Sequence, residues 1–244
     1  MTGGQRSPKI KNLIEQNRVE LSNMLTGTGT IKRLNNLNWV RHELSYTEPR
    51  ILFMSPSRDQ RIFLDYNNMK NIGEAYDYIL AHPHADINAH EICKIHSILC
   101  SGTHIMGGLT RSSDKILEIT VNGIRYHAPD SQMISTMLND IVYKINNNRK
   151  DTLTRAFDAH YEIIALQPFD DFNKRTARMI MNWILINDDR RPIMFNKPSD
   201  RQKYRAAISA MFNGNRKAYM QYMTETLLRS QKEIIKQIKT SRII

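Results

Sequence analysis

Helical periodicity, repeated along most of the chain and interrupted once, constrains the fold more than any other feature. From Asp65 to Ala81, Met69, Ile72, Tyr76 and Ile79 recur at spacings of three and four, as one face of a helix requires. His82-Pro83 stops that helix. Asn88 is placed to cap the next one, with Glu91 three residues on, and Ile92, Ile95, His96 and Leu99 line it as far as Ser101-Gly102. A helix capped by Ser131 carries Ile134, Leu138, Ile141 and Ile145. Phe157, Tyr161 and Ile164 mark one side of another, and Met179, Ile180, Trp183 and Ile184 mark one that runs to Asn187-Asp188-Asp189. An early helix bears Leu21, Met24 and Leu25 and ends near Gly27-Thr28-Gly29, and two helices finish the chain. The interruption is Ile116, Leu117, Ile119 and Val121, then Asn122-Gly123, then Ile124 and Tyr126. Asn-Gly between short apolar runs is a strong hairpin signal. The expected class is all-α with one β-hairpin.

The bulk numbers exclude some roles. At 244 residues and 41% hydrophobic content, the chain suits one large domain, or one domain with extensions, around a real core. No run approaches the ~20 apolar residues of a membrane span, so no membrane partner is expected. The start, Met1 to Arg6, lacks the apolar stretch of a signal peptide. Cys93 and Cys100 lie two turns apart on one helix, too far for a disulfide within it. Reduced thiols and a cytoplasmic setting are the expectation. The formal charge of +11 fits a nucleotide, a nucleic acid or an acidic surface. The excess is spread out and no familiar nucleic-acid motif occurs, so nucleic acid is the weaker choice. From Arg229 to Ile244, Arg229, Lys232, Lys236, Lys239 and Arg242 face only Glu233, which reads as a solvated helix end.

The chemistry concentrates in Gln167-Pro168-Phe169-Asp170-Asp171-Phe172-Asn173-Lys174-Arg175-Thr176-Ala177-Arg178. Pro168 breaks the preceding helix, and a new helix begins near Asn173. Backbone N–H groups at a helix start lack intrahelical acceptors, and the dipole there favours an anion. Arg175 and Arg178 are three apart and can face one side of the first turn, completing a phosphate cradle. Asp171 is placed to hold a divalent metal that bridges phosphates. The plainer reading is a capped helix whose arginines pair with Asp170 and Asp171.

This segment resembles the motif of the Fic (filamentation-induced / death-on-curing) family, His-Pro-Phe-x-Asp/Glu-Gly-Asn-Gly-Arg-x-x-Arg. Ala156 to Ala165 looks like the family helix leading into it, and Arg178-Met179-Ile180-Met181-Asn182 with Pro192-Ile193 looks like the family segment on its C-terminal side. Gly108-Leu109-Thr110-Arg111, the hairpin, and Tyr126-His127-Ala128-Pro129 look like the family's flap region, and His96 falls where a helix histidine often precedes the flap. The resemblance covers roughly residues 60–228. It implies a Fic-like helical domain over 61–228, after an N-terminal helical extension (1–60) and before a basic C-terminal helix end (229–244).

Fic proteins generally move AMP from ATP onto a target hydroxyl, so the resemblance implies ATP and Mg²⁺ as cofactors. It also implies a target protein bearing a Ser, Thr or Tyr hydroxyl as partner. Asp171 matches the metal position, and Asn173, Lys174, Arg175 and Arg178 fall at phosphate-binding positions. The flap, around Leu117, Glu118, Ile119 and Thr120, would pin an extended target segment by strand addition. Many members carry an inhibitory helix whose Glu pairs with the second motif Arg; Glu43, in Trp39 to Ser45, is the residue here that matches it.

Three departures from the motif matter. Gln167 stands where the family has its His base, and an amide cannot accept a proton near neutral pH. Losing general base catalysis costs about 10²- to 10⁴-fold, on the order of 3–5 kcal/mol of barrier. Phe172 replaces the first glycine, where a Cβ and ring restrict the backbone. Lys174 replaces the second glycine; Asn-Lys-Arg-Thr-Ala looks like the death-on-curing toxin branch, which transfers phosphate with a reversed nucleotide pose. The departures leave three expectations: a degenerate adenylyltransferase, weak or inactive as it stands; a non-catalytic pseudoenzyme that binds proteins through the flap groove; or a phosphotransferase of the death-on-curing type. His160, two turns before Gln167, and His127, at the end of the hairpin, are the other candidate bases, each with a plainer structural role. Resemblance to bacterial toxins and secreted effectors leaves a bacterial cytoplasmic protein and a secreted effector both open.

Overall fold

The periodicity emerges as eight α-helices and one hairpin among the residues described by the computed structural model: 6–26, 58–82, 84–114, 116–119, 124–147, 149–195 and 199–241. The elements are α1 (Arg6–Thr26), α2 (Arg58–Ala81), α3 (Ala89–Cys100), β1 (Ile116–Ile119), β2 (Ile124–His127), α4 (Ile134–Asn146), α5 (Thr152–Leu166), α6 (Asn173–Asn187), α7 (Asp200–Phe212) and α8 (Arg216–Ser241). This is the expected all-α Fic-like arrangement with one antiparallel hairpin, in register Ile116 with His127 and Ile119 with Ile124.

The chain divides into two compact units, residues 45–187, and 1–44 with 188–244. In the first, α6 packs against α5, α3 and α2. Its residues Ala177, Met179, Ile180, Met181, Trp183, Ile184 and Leu185 are all buried, and Arg178 and Asn182 are buried on the remaining face. A helix enclosed on every side belongs in a core. Burying a side chain of this size is worth roughly 1.5–3 kcal/mol, so α6 anchors the unit and fixes its own N-terminus, where the motif lies. Trp183 meets the ring of Tyr78 edge-on at 6.0 Å. In the second unit α1 packs against α8, and α7 also packs against α8. Ile14 and Leu21 join Met223, Leu227, Ile234 and Ile238 in its core, with Lys239 paired to Glu20 at 2.8 Å.

The capping signals are partly met. Asn88 caps α3, its Oδ1 accepting from the Glu91 N–H at 3.0 Å. Glu91 does not complete a capping box through its own side chain; its carboxylate accepts from the Tyr78 hydroxyl at 2.8 Å. Ser131 does not cap α4. It opens a 3₁₀ turn, Ser131–Met133, closed by the Met133 N–H on the Asp130 carbonyl at 2.9 Å, so the backbone turns without a side-chain cap. The helix expected from Asp65 begins at Arg58, one turn and more earlier.

Candidate functional site: the loop between α5 and α6

Residues 167–172 join α5 to α6, and side-chain amides hold the loop in shape. Gln167 ends α5 in the left-handed region (φ 48°, ψ 56°), its N–H on the Ile163 carbonyl at 3.1 Å. Its side chain folds inward and is buried. Nε2 donates to the Ile164 carbonyl at 2.6 Å, and Oε1 accepts from Asn173 Nδ2 at 3.2 Å. Asn173 in turn accepts the Phe169 N–H at 2.9 Å and donates to the Phe169 carbonyl at 2.7 Å. One buried amide thus replaces two backbone bonds that a loop interrupted by Pro168 cannot make for itself.

The α6 N-terminus carries the charged residues. Phe172 sits at φ 59° with its ring buried, and its carbonyl accepts from the Thr176 N–H at 2.9 Å, which starts the helix. Asp171 is half-buried, and its Oδ1 accepts the Phe172 N–H at 2.7 Å. Lys174 is exposed. The half-buried Arg175 donates from Nη1 to Asn68 Oδ1 of α2 at 2.7 Å, and its guanidinium lies 4.5 Å from the centre of the Phe172 ring. Arg178 is buried beside His160. No group of three His, Cys, Asp or Glu placed to hold a metal occurs among the described residues. A single carboxylate at a helix N-terminus is still the donor set of Mg²⁺, which takes most of its ligands from phosphate and water.

The helix before the hairpin braces the loop from below. His96, fully buried in α3, stacks on Phe169 with centroids 3.7 Å apart and planes 3° from parallel. Its Nδ1 accepts the Gly108 N–H at 2.9 Å, so Nε2 bears the hydrogen and donates to the Asp171 carbonyl at 3.1 Å. Gly107 admits this approach; a Cβ there would lie 2.8 Å from the Ser97 Cα. Arg111 is the second brace and is 3% exposed. Its backbone N–H donates to the Pro168 carbonyl at 2.9 Å, and its Nε donates to the Gln167 carbonyl at 2.7 Å.

The other sequence candidates fall in different places. His160 is fully buried, and burial, helped by the Arg178 charge, lowers its pKa to about 3, so it stands as a neutral core imidazole. His127 is exposed at the end of β2. Leu117, Glu118 and Ile119 lie in β1, whereas Thr120 and Glu43 lie outside the described residues. Burial, with Asp171 adding to it and Arg175 opposing it, pushes the Cys100 thiol up to about 12. Asn68 and the bracing role of Arg111 were not found from sequence. Nothing in spacing separates a buried arginine from a surface one.

Comparison with known proteins places this geometry. The Fic/DOC family profile matches residues 86–185, from just before α3 to the end of α6. The protein adenylyltransferase fic-1 of Caenorhabditis elegans is 25% identical over 167 residues, 67% of this chain and 32% of the relative. The chain therefore spans about a third of the length of that relative. A Fic-domain-containing signalling protein from Bacteroides thetaiotaomicron superposes with a TM-score of 0.76 at 16% identity, over 93% of this chain and 97% of that one. The N-terminal Fic domain of a VirB-translocated effector from Bartonella quintana, solved with bound ADP, superposes with a TM-score of 0.54 at 19% identity, over 76% and 94%. The amide-braced loop, its helix and the preceding hairpin thus lie within the segment, residues 86–185, that matches the Fic/DOC family and is related to protein adenylyltransferases.

Proposed function

We propose that the α5–α6 loop and the first turn of α6 bind ATP with Mg²⁺, and that transfer of AMP to a target hydroxyl is strongly impaired by Gln167. The adenylyltransferase relative and the ADP-bound structural neighbour support a nucleotide. The residues fit it. Asp171 offers a carboxylate, Lys174 and Arg175 offer cations at the open end of α6, and the first-turn N–H groups favour an anion. Bound ATP with Mg²⁺ would supply the AMP group and offset phosphate charge.

One observation carries the impaired reading. At position 167 a buried amide has its nitrogen on the Ile164 carbonyl and its oxygen on Asn173, so the group is committed to closing the loop. An amide oxygen takes no proton near neutral pH, and a target hydroxyl would have to lose its proton elsewhere. Calorimetric titration of ATP with Mg²⁺ into the protein, Gln167→His and Arg175→Ala tests this, followed by radiolabelled AMP transfer. We expect binding in the first two, loss of about tenfold or more in Arg175→Ala, and transfer raised only in Gln167→His. Absence of binding in both the protein and Gln167→His overturns the proposal.

A second reading has its own observation. Arg175 is held by Asn68 and by the Phe172 ring, and that ring fills a position the family motif gives to glycine. If these contacts keep phosphate out, the domain serves as a non-catalytic binding module that receives an extended peptide on β1.

A further inference from the structure

We propose that Arg111 is a positioning residue that fixes the hairpin to position 167 and so sets where a target segment lies over the site. The inference rests on the reading that hairpin and loop form one site. The guanidinium reaches carbonyls from three directions. Nε donates to Gln167 O at 2.7 Å and Nη2 to Leu166 O at 3.4 Å, at the end of α5. Nη1 donates to Ser113 O at 2.6 Å, ahead of β1, and Nη2 also donates to Pro129 O, just after β2. Both roots of the hairpin and the backbone of residue 167 therefore hang on one planar group. Four donations from five N–H groups leave this fork little freedom to turn.

The chemistry explains why arginine stands there. The last carbonyls of a helix lack partners, and Pro168 supplies no N–H, so the end of α5 presents acceptors in a buried place. A cation at a helix C-terminus is also favoured by the dipole. Arg111 is 3% exposed, and its guanidinium donates to four carbonyl oxygens, whose dipoles favour the buried charge. Lysine would retain the charge but reach the carbonyls as a point, without the fork.

The test uses the full chain as Arg111→Lys and Arg111→Met, with amide hydrogen exchange and calorimetric titration of ATP with Mg²⁺. In Arg111→Lys we expect the amides of 116–119 and 124–127 to exchange at least about tenfold faster, while those of α5 and α6 change by less than about threefold. Nucleotide affinity should stay within about threefold, because the side chains proposed to bind phosphate, Lys174 and Arg175, lie on α6, and the Arg111 donations go to Gln167, Leu166, Ser113 and Pro129 instead. Arg111→Met should exceed the lysine variant at the hairpin. Exchange rising equally in hairpin, α5 and α6 of Arg111→Lys would mean a general structural role and overturn the proposal, as would an unchanged hairpin. If the parent binds no nucleotide, the adenylyltransferase reading fails, while the exchange pattern still decides the role of Arg111.

Discussion

Gln167 and Phe172 frame the loop, and both take positive φ, 48° and 59°. A side chain in the left-handed region costs about 1–2 kcal/mol, so each must be held there by its contacts. For Gln167 these are the two amide bonds, and for Phe172 the burial of its ring. Phe172→Gly would relieve about 1 kcal/mol of strain and lose roughly 3 kcal/mol or more of ring burial. We expect a net loss of about 2 kcal/mol in urea unfolding; a gain in stability would show that the ring contributes little. Asn173→Ala should cost about 1–3 kcal/mol, because it removes the two side-chain bonds to the Phe169 N–H and carbonyl in a buried loop. His160 gives a pH signature. Its folded pKa of about 3 lies below the unfolded value near 6.5, so the unfolded chain binds more protons between them. Stability from its neutral burial is complete above pH ~6.5 and is lost as pH falls from there toward about 3, at up to ~1.4 kcal/mol per pH unit. Urea midpoints for the protein and His160→Gln across about pH 4–8 check this, the variant being expected to show the flatter profile.

At the level of the element, local rules and tertiary needs compete for the same side chains. Asn88 follows the local rule, and Asn88→Ala should destabilise the protein by about 1 kcal/mol through α3 alone. Glu91 was readable as a capping-box partner, yet the hydroxyl of Tyr78 on α2 claims its carboxylate. Spacing assigns Gly107 no role, and Gly108 enters the sequence reading only as the start of the flap-like run Gly108 to Arg111. Their purpose appears when the segment lies against α3 and the Gly108 N–H reaches His96. Gly107→Ala would set a Cβ against the Ser97 backbone, so the segment must lift from α3. A drop in melting temperature with a loosened α3–hairpin link in hydrogen exchange is the expected result. Among the described residues helix existence was legible because periodicity is local; the 3₁₀ entry to α4 was not, because a backbone bond from Met133 to Asp130 sets it, and the start of α2 at Arg58 lies ahead of the periodic run that begins at Asp65.

Across the molecule, the 35 basic residues whose excess over 24 acidic ones gives +11 are interspersed with acidic side chains. Lys144 pairs with Glu162, Lys150 with Asp158, Arg229 with Asp200 and Arg190 with Asp188. Such interspersed charge gives weak long-range attraction at physiological salt. We expect fluorescence anisotropy with duplex DNA to show no saturable binding at micromolar protein in ~150 mM salt. Tight binding with a steep salt slope would reinstate nucleic acid as a partner. The sequence by itself determined the helical class, the hairpin at Asn122-Gly123, the cap at Asn88 and the order of the motif, since these rest on spacing and on the preferences of Asn, Gly and Pro. Only the tertiary structure decided what the motif residues do. It turned Gln167 inward, made Asn173 a clamp, gave Arg175 to Asn68 and made Arg111 the joint between hairpin and loop. The physical reason is that a hydrogen bond or a buried charge belongs to two groups at once, and the second group in these cases lies up to 107 residues away in the chain.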